Sequence, residues 1–132
     1  MTGKEALTMA ANIMHENDLT PYLATAKTWI NLVLGELFEI ANRRRVWRGE
    51  EEFYDLPLIE DLEDDLPYDD ELNVRALVKG LVARMFSEEC DNALLAMYRQ
   101  EYELAARELD RAQVSIVTEG GSTRESFAAF GI

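Results

Sequence analysis

Residues 66–86 read LPYDDELNVRALVKGLVARMF, and this stretch decides the fold. Within it Val74, Leu77, Val78, Leu81, Val82, Met85 and Phe86 recur at i, i+3, i+4, i+7, i+8, i+11 and i+12. That is an apolar stripe at the helical period. Lys79 and Arg84 fall off the stripe, on the face left to water. Pro67, followed by Asp69, Asp70 and Glu71, marks the helix start, where acidic side chains suit the positive end of the helix dipole. The spacing predicts a central helix with the other helices packed around it. Its chemistry is packing, not catalysis.

Upstream, Thr20 reads as the N-cap of a long second helix, and Pro21 suits its first turn. Leu23, Ala26, Ile30, Val33, Leu34, Leu37, Phe38 and Ala41 supply its apolar face, and Gly49 stops it after Arg43, Arg44, Arg45 and Arg48. Before it, Ala6, Leu7, Ala10, Ile13 and Met14 give a short first helix that ends near His15, read as a capping or solvated side chain. Downstream, Asp91 is placed to cap a last helix from Asn92 to about Gln113. Leu94, Met97, Tyr98, Tyr102, Ala105, Leu109 and Ala112 form its apolar face, and Glu103 and Arg107 pair across one turn. From Val114 the character changes. Val114, Ile116 and Val117 are β-branched and favour extended backbone, and Phe127, Phe130 and Ile132 end the chain. The expectation is an all-α fold: a small helical bundle of about four helices over residues 1–113, followed by an extended C-terminal arm over residues 114–132.

The length of 132 residues fits one domain, and an apolar share of 48% is enough for a core. Cys90, the single cysteine, excludes an internal disulfide and a cysteine-built metal site; it reads as an inert, partly buried thiol in the turn after the central helix. No apolar run is long enough to cross a bilayer, and the N-terminus has no cleavable signal pattern, so the expected product is cytoplasmic. The net charge of −13 argues against wrapping DNA through its phosphates. That charge is local. Glu50, Glu51, Glu52, Asp55, Glu60, Asp61, Glu63, Asp64, Asp65, Asp69, Asp70 and Glu71 account for nearly half of the 26 acids. Phe53, Tyr54, Leu56, Leu58, Ile59, Leu62 and Leu66 are interleaved with them, so the linker over residues 49–67 is expected to pack on the core rather than to be disordered.

Chemical motifs are sparse. An EF-hand loop begun at Asp61 places Leu66 where glycine belongs and Leu72 where the bidentate glutamate belongs, so the match fails. Glu36 and Glu39, then Glu52 and Asp55, loosely resemble the carboxylate pairs with which all-α nucleotide pyrophosphohydrolases hold magnesium. That chemistry needs both pairs on facing helices, and the second pair lies between Gly49 and Pro57. Cys90 and His15 have nothing to bring them together as nucleophile and base, and no phosphate-cradling glycine loop is present. No catalytic residue, metal or cofactor is assigned.

Three stretches taken together resemble the head-to-tail adaptor (head-completion or connector) proteins of tailed bacteriophages. They are TPYLATAKTWINLVLGELFEIAN, the acidic linker PLIEDLEDDLPYDDELN, and ALVKGLVARMFSEECDNALLAMYRQEYELAARELDRA. The resemblance covers roughly residues 3 to 113 and is distributed, with no catalytic signature. It implies a non-enzymatic virion protein, made in the host cytoplasm and assembled as a ring, a dodecamer in the expected case. The ring sits between the portal protein and the next neck or tail-completion protein, and DNA passes through without specific binding or any membrane contact. It further implies that a C-terminal arm reaches the portal; by position Val114, Ile116, Val117, Phe127, Phe130 and Ile132 are its anchors. Between protomers, Arg43, Arg44, Arg45 and Arg48 are expected to meet Glu60, Asp61, Asp64 and Asp65 of the next copy. The alternative is a small acidic helical protein that binds and regulates a basic partner.

Overall fold

Side-chain caps mark where three of the helices begin, at Thr2, Asp69 and Asp91. In α1 (Gly3–Ile13) the Thr2 hydroxyl accepts the Glu5 N–H, while the Glu5 carboxylate accepts the Thr2 N–H at 2.8 Å. This reciprocal box satisfies two orphan donors. The second helix starts differently from the expectation. Thr20 is its first residue, and the Thr20 N–H donates to the Asp18 carboxylate at 3.0 Å. At the last helix Asp91 caps as expected, accepting the Leu94 N–H at 3.2 Å. The computed structural model describes the backbone of residues 1–120 and the side chains of residues 1–110.

The fold is all-α. The long helix read over residues 20–48 is two helices, α2 (Thr20–Glu36) and α3 (Phe38–Trp47), separated at Leu37. Hydrogen bonding runs through the break, from Leu37 N–H to Val33 O at 3.0 Å and from Ala41 N–H to Leu37 O at 2.9 Å. The separation is therefore a local bend, two residues after the weak helix former Gly35. The central element is α4 (Asp70–Leu72), a π-helical turn (Asn73–Leu77) and α5 (Val78–Glu88) in succession. Asp69 caps it through the Leu72 N–H at 3.2 Å. The wide turn shifts the register of the predicted stripe: Val74 is 40% exposed, whereas Asn73 is fully buried. The Asn73 amide donates to Tyr68 O at 3.0 Å.

α5 packs against α6 (Asn92–Gly120), α1 and α2, with Val78, Leu81, Val82 and Met85 fully buried. Gly80 makes this possible. A Cβ there would lie 3.2 Å from both Val33 methyls and from the Tyr102 ring. Tyr102, Ala105 and Leu109 form the described part of the α6 core face, whereas Met97 is 43% exposed.

Three expectations are corrected. The β-branched Val114, Ile116 and Val117 lie in helical backbone, because α6 continues to Gly120. Propagating an established helix adds a hydrogen bond per residue and outweighs the small propensity deficit of valine and isoleucine. Phe127, Phe130 and Ile132 lie outside the described residues. Cys90 is exposed, not partly buried; it follows the C-cap of α5 at φ 61. Glu103 pairs backward with Arg99 at 3.8 Å, not forward with Arg107.

The acidic linker does pack on the core, at chosen points. Ile59 and Leu66 are buried, and Phe53 and Leu62 lie against them half-buried. Its end pairs with the start of the chain: Gly3 N–H donates to Asp64 O, Lys4 N–H to Leu62 O, and Leu66 N–H to Met1 O. Gly3 gives the room, since a Cβ there would come within 3.1 Å of Ile59. Beyond the linker, the buried Tyr68 hydroxyl donates to Leu34 O.

Candidate functional site

The most distinctive local construction holds the linker across α2 and α3. Asn31 accepts the Ile59 N–H at 2.9 Å and donates to Ile59 O at 3.1 Å. Asn42 does the same to Phe53, accepting at 2.7 Å and donating at 3.4 Å. Each side-chain amide thus satisfies both backbone groups of one linker residue, as a neighbouring strand would. Positions 31, 35, 38 and 42 share one helical face. At its middle, Gly35 leaves the floor on which the Leu56 side chain rests; a Cβ there would lie 3.6 Å from it. Between these two clamps the segment runs without regular secondary structure and bends at Tyr54 and Asp55.

Burial divides the side chains of this segment. Phe53 and Ile59 turn to the core, while Tyr54, Leu56 and Leu58 are 97%, 40% and 56% exposed. Glu51, Glu52, Asp55, Glu60 and Asp61 flank them along the segment, all exposed. No lysine or arginine occurs between residues 49 and 74. The result is a fixed acidic ledge with Tyr54 and Leu58 turned outward and Leu56, seated on Gly35, partly exposed between them.

The arginines that follow α2 are bound by acids of their own chain. Arg44, 9% exposed, grips Asp69 through two hydrogen bonds at 3.0 and 2.8 Å, and reaches Glu71 at 2.8 Å. Arg48 adds Asp69 at 3.3 Å and Glu50 at 3.4 Å. Arg43 forms a two-pronged pair with Asp110 at 2.8 and 2.9 Å. Arg45 donates to Glu51 O and stacks over the Phe53 ring at 4.2 Å. Burial pushes the Asp69 carboxyl up, but hydrogen bonds from Arg44 and Leu72 and the charges of Arg44 and Arg48 outweigh it and leave the carboxyl below its ordinary value. The Arg44 hydrogen bond likewise lowers Glu71.

Glu60, Asp61, Asp64 and Asp65, the acids expected to face these arginines across an interface, lie elsewhere on the linker and are exposed. Asp64 accepts the N–H groups of Glu60 and Asp61, both at 3.0 Å, and Asp65 bridges to Thr2. The structure does not bring the two groups together within one molecule.

The four carboxylates that resembled a magnesium site are also dispersed in role. Glu36 takes hydrogen bonds from Arg84 at 2.6 Å and from the Tyr102 hydroxyl at 2.7 Å. Glu39 pairs with Arg43 at 3.9 Å, and Glu52 and Asp55 stand on the ledge. Among the described residues no group of three or more His, Cys, Asp or Glu side chains could hold a metal ion. A groove of about 830 Å³ beside α1 is lined by Met1, Met9, Val74 and Lys4, and by Thr2 and Glu5, which are engaged with each other in the α1 capping box. No described helix is long and apolar enough to cross a membrane.

Asn31, Asn42, Gly35, Asn73 and Gly80 escaped the sequence reading. The signal was present for the first three: two asparagines eleven positions apart, on one helical face with a glycine between them. Comparison of the chain with protein-family models, with curated proteins and with solved structures gave no match.

Proposed function

We propose that this chain is a structural connector of a tailed-phage particle, forming a ring between portal and tail through which DNA passes. The disposal of charge is the observation that carries the reading. Arg43, Arg44, Arg45, Arg48, Arg75, Arg84 and Arg99 are all engaged by carboxylates of their own chain. These seven arginines are paired within the chain, whose formal net charge is −13. An acidic wall repels the DNA backbone and lets it slide without sticking. The resemblance over residues 3–113 and the all-α bundle support the same reading.

The test is electron microscopy of the purified chain mixed with portal-bearing capsids, using the full chain and a truncation lacking residues 121–132. A ring beneath the portal supports the connector. Its loss on truncation assigns the portal contact to the region of Phe127, Phe130 and Ile132; its survival removes that role. No association with the portal sinks the connector reading. A second reading, an acidic binding protein for a basic partner, is favoured by the ledge at Tyr54, Leu56 and Leu58. It predicts a one-to-one complex and no ring.

A further inference from the structure

We propose that the ledge over residues 51–61 is a docking surface for a partner segment that places lysine or arginine beside apolar anchors. The inference does not depend on the connector reading, because it concerns what the ledge recognises and not where the chain resides.

Three observations converge on it. The first is exposure with order. Tyr54 and Leu58 are turned outward, with Leu56 partly exposed between them, on a segment fastened at both ends by the Asn42 and Asn31 amides. A segment held in this way loses little conformational freedom on binding, so apolar contact there is retained as affinity. Collapse of Tyr54 onto its own domain would bury more apolar area, yet it stands 97% exposed.

The second is charge. Glu51, Glu52, Asp55, Glu60 and Asp61 flank the three side chains along the segment, and the run between residues 49 and 74 contributes no positive charge, although Lys4 and Lys27 stand beside Glu60 and Asp61 at its far end. Acids flanking an apolar centre select a cationic, partly apolar occupant and repel acidic ones. A second copy of this chain fits poorly, because Arg43, Arg44, Arg45 and Arg48 are already held by Asp110, Asp69, Glu71, Glu50 and the Glu51 carbonyl. The occupant proposed is accordingly a different molecule that brings its own cations, and self-association is the outcome that points to a second copy.

The third is the backbone. Among the described residues, the main-chain groups of Leu56 and Leu58 make no hydrogen bond. Lying between two side-chain clamps, they are open to pair with an extended segment, which then places alternate side chains against Leu56 and Leu58.

The probe is a fluorescein-labelled peptide of alternating lysine and leucine, with a lysine–serine peptide of equal charge as its counterpart. Binding is read by fluorescence anisotropy with the full chain, and the chain's own association state by sedimentation velocity. Two double variants are compared, Tyr54→Ser with Leu58→Ser on the ledge, and Met97→Ser with Leu104→Ser on α6. All four positions are exposed, and a thermal melt by circular dichroism checks each fold. The expected result is that the ledge variant binds the lysine–leucine peptide at least about tenfold more weakly, whereas the α6 variant binds as the parent does. The lysine–serine peptide is expected to be the weaker ligand. Equal binding by both variants, or equal affinity for the two peptides, overturns the proposal and leaves general charge attraction. Absence of binding overturns it as well. Self-association of the parent that disappears in the ledge variant overturns it in favour of a second copy as occupant.

Discussion

Arg44 shows how a single residue can be misread from sequence. As part of Arg43-Arg44-Arg45 it reads as an exposed patch; in the fold it is buried and fixes the start of the central element by binding Asp69 and Glu71. Arg44→Met is expected to lower stability by about 2 kcal/mol in urea unfolding, because it leaves a half-buried Asp69 with the weaker Arg48 contact. Arg44→Lys is expected to recover only part of this, since an ammonium cannot reproduce the two-pronged grip. The effect has a defined pH dependence. The carboxyls of Asp69 and Glu71 are lowered in the folded state, so the stability they contribute is complete above their unfolded pKa, near 4. It is lost as pH falls through the lowered folded values. Parent and Arg44→Met stabilities should therefore converge in acid; a gap unchanged from pH 7 to about pH 3 refutes the role given to this cluster. Charge reversal at Arg44 consequently disrupts the monomer itself, and assembly is better probed at Glu60 and Asp61.

For elements, the informative positions are those where propensity and packing disagree. Gly80 lies inside α5, where alanine is the better helix former by about 1 kcal/mol. Its site has no room: both methyls of the fully buried Val33 and the Tyr102 ring stand 3.2 Å from a Cβ. Valine is stiff about χ1, so neither methyl can withdraw alone. Gly80→Ala is expected to destabilise by about 1 kcal/mol or more despite the propensity gain, read as a lowered melting temperature. Cys90 is the reverse case. It occupies a left-handed position after α5 that glycine adopts without cost. Cys90→Gly is expected to raise stability by about 0.5 kcal/mol, the relief of backbone strain exceeding the added entropy of the unfolded chain.

Across the whole molecule, the surplus of acid sets a general response. At a formal charge of −13 the surface acids repel one another, while the Arg44 cluster is sheltered from solvent. Raising NaCl from about 20 to about 200 mM should therefore raise the melting temperature; a fall would mean that exposed ion pairs dominate. The linker is the other global feature. It crosses α2 and α3 and is fastened by two amides and by pairing with residues 1–4. Replacing Asn31 and Asn42 together by alanine is expected to expose the segment around Tyr54 and Leu56 to limited chymotryptic cleavage at a rate about tenfold above the parent, with helical circular dichroism retained.

Much of this architecture was determined locally and is legible in sequence: most of the stripe of α5, the acidic helix start at Asp69, the Asp91 cap, the buried Ala26, Ile30, Val33 and Leu34 of α2, though not Leu23, which is 44% exposed, and the attachment of the linker by Ile59 and Leu66. Periodicity, capping and side-chain hydrophobicity are short-range properties, so they survive without coordinates. What only the tertiary structure decided is how polar groups are shared. The arginine row is consumed by Asp69, Glu71, Glu50 and Asp110, partners up to 67 positions away. The asparagines reach backbone groups 11 and 28 positions along. Hydrogen bonds and ion pairs depend on distance and angle in space, and a sequence shows which residues can pair but not which ones meet. The π-helical turn belongs with these. The stripe assumed an ideal helix, and packing inserted a wider turn that buried Asn73 and released Val74.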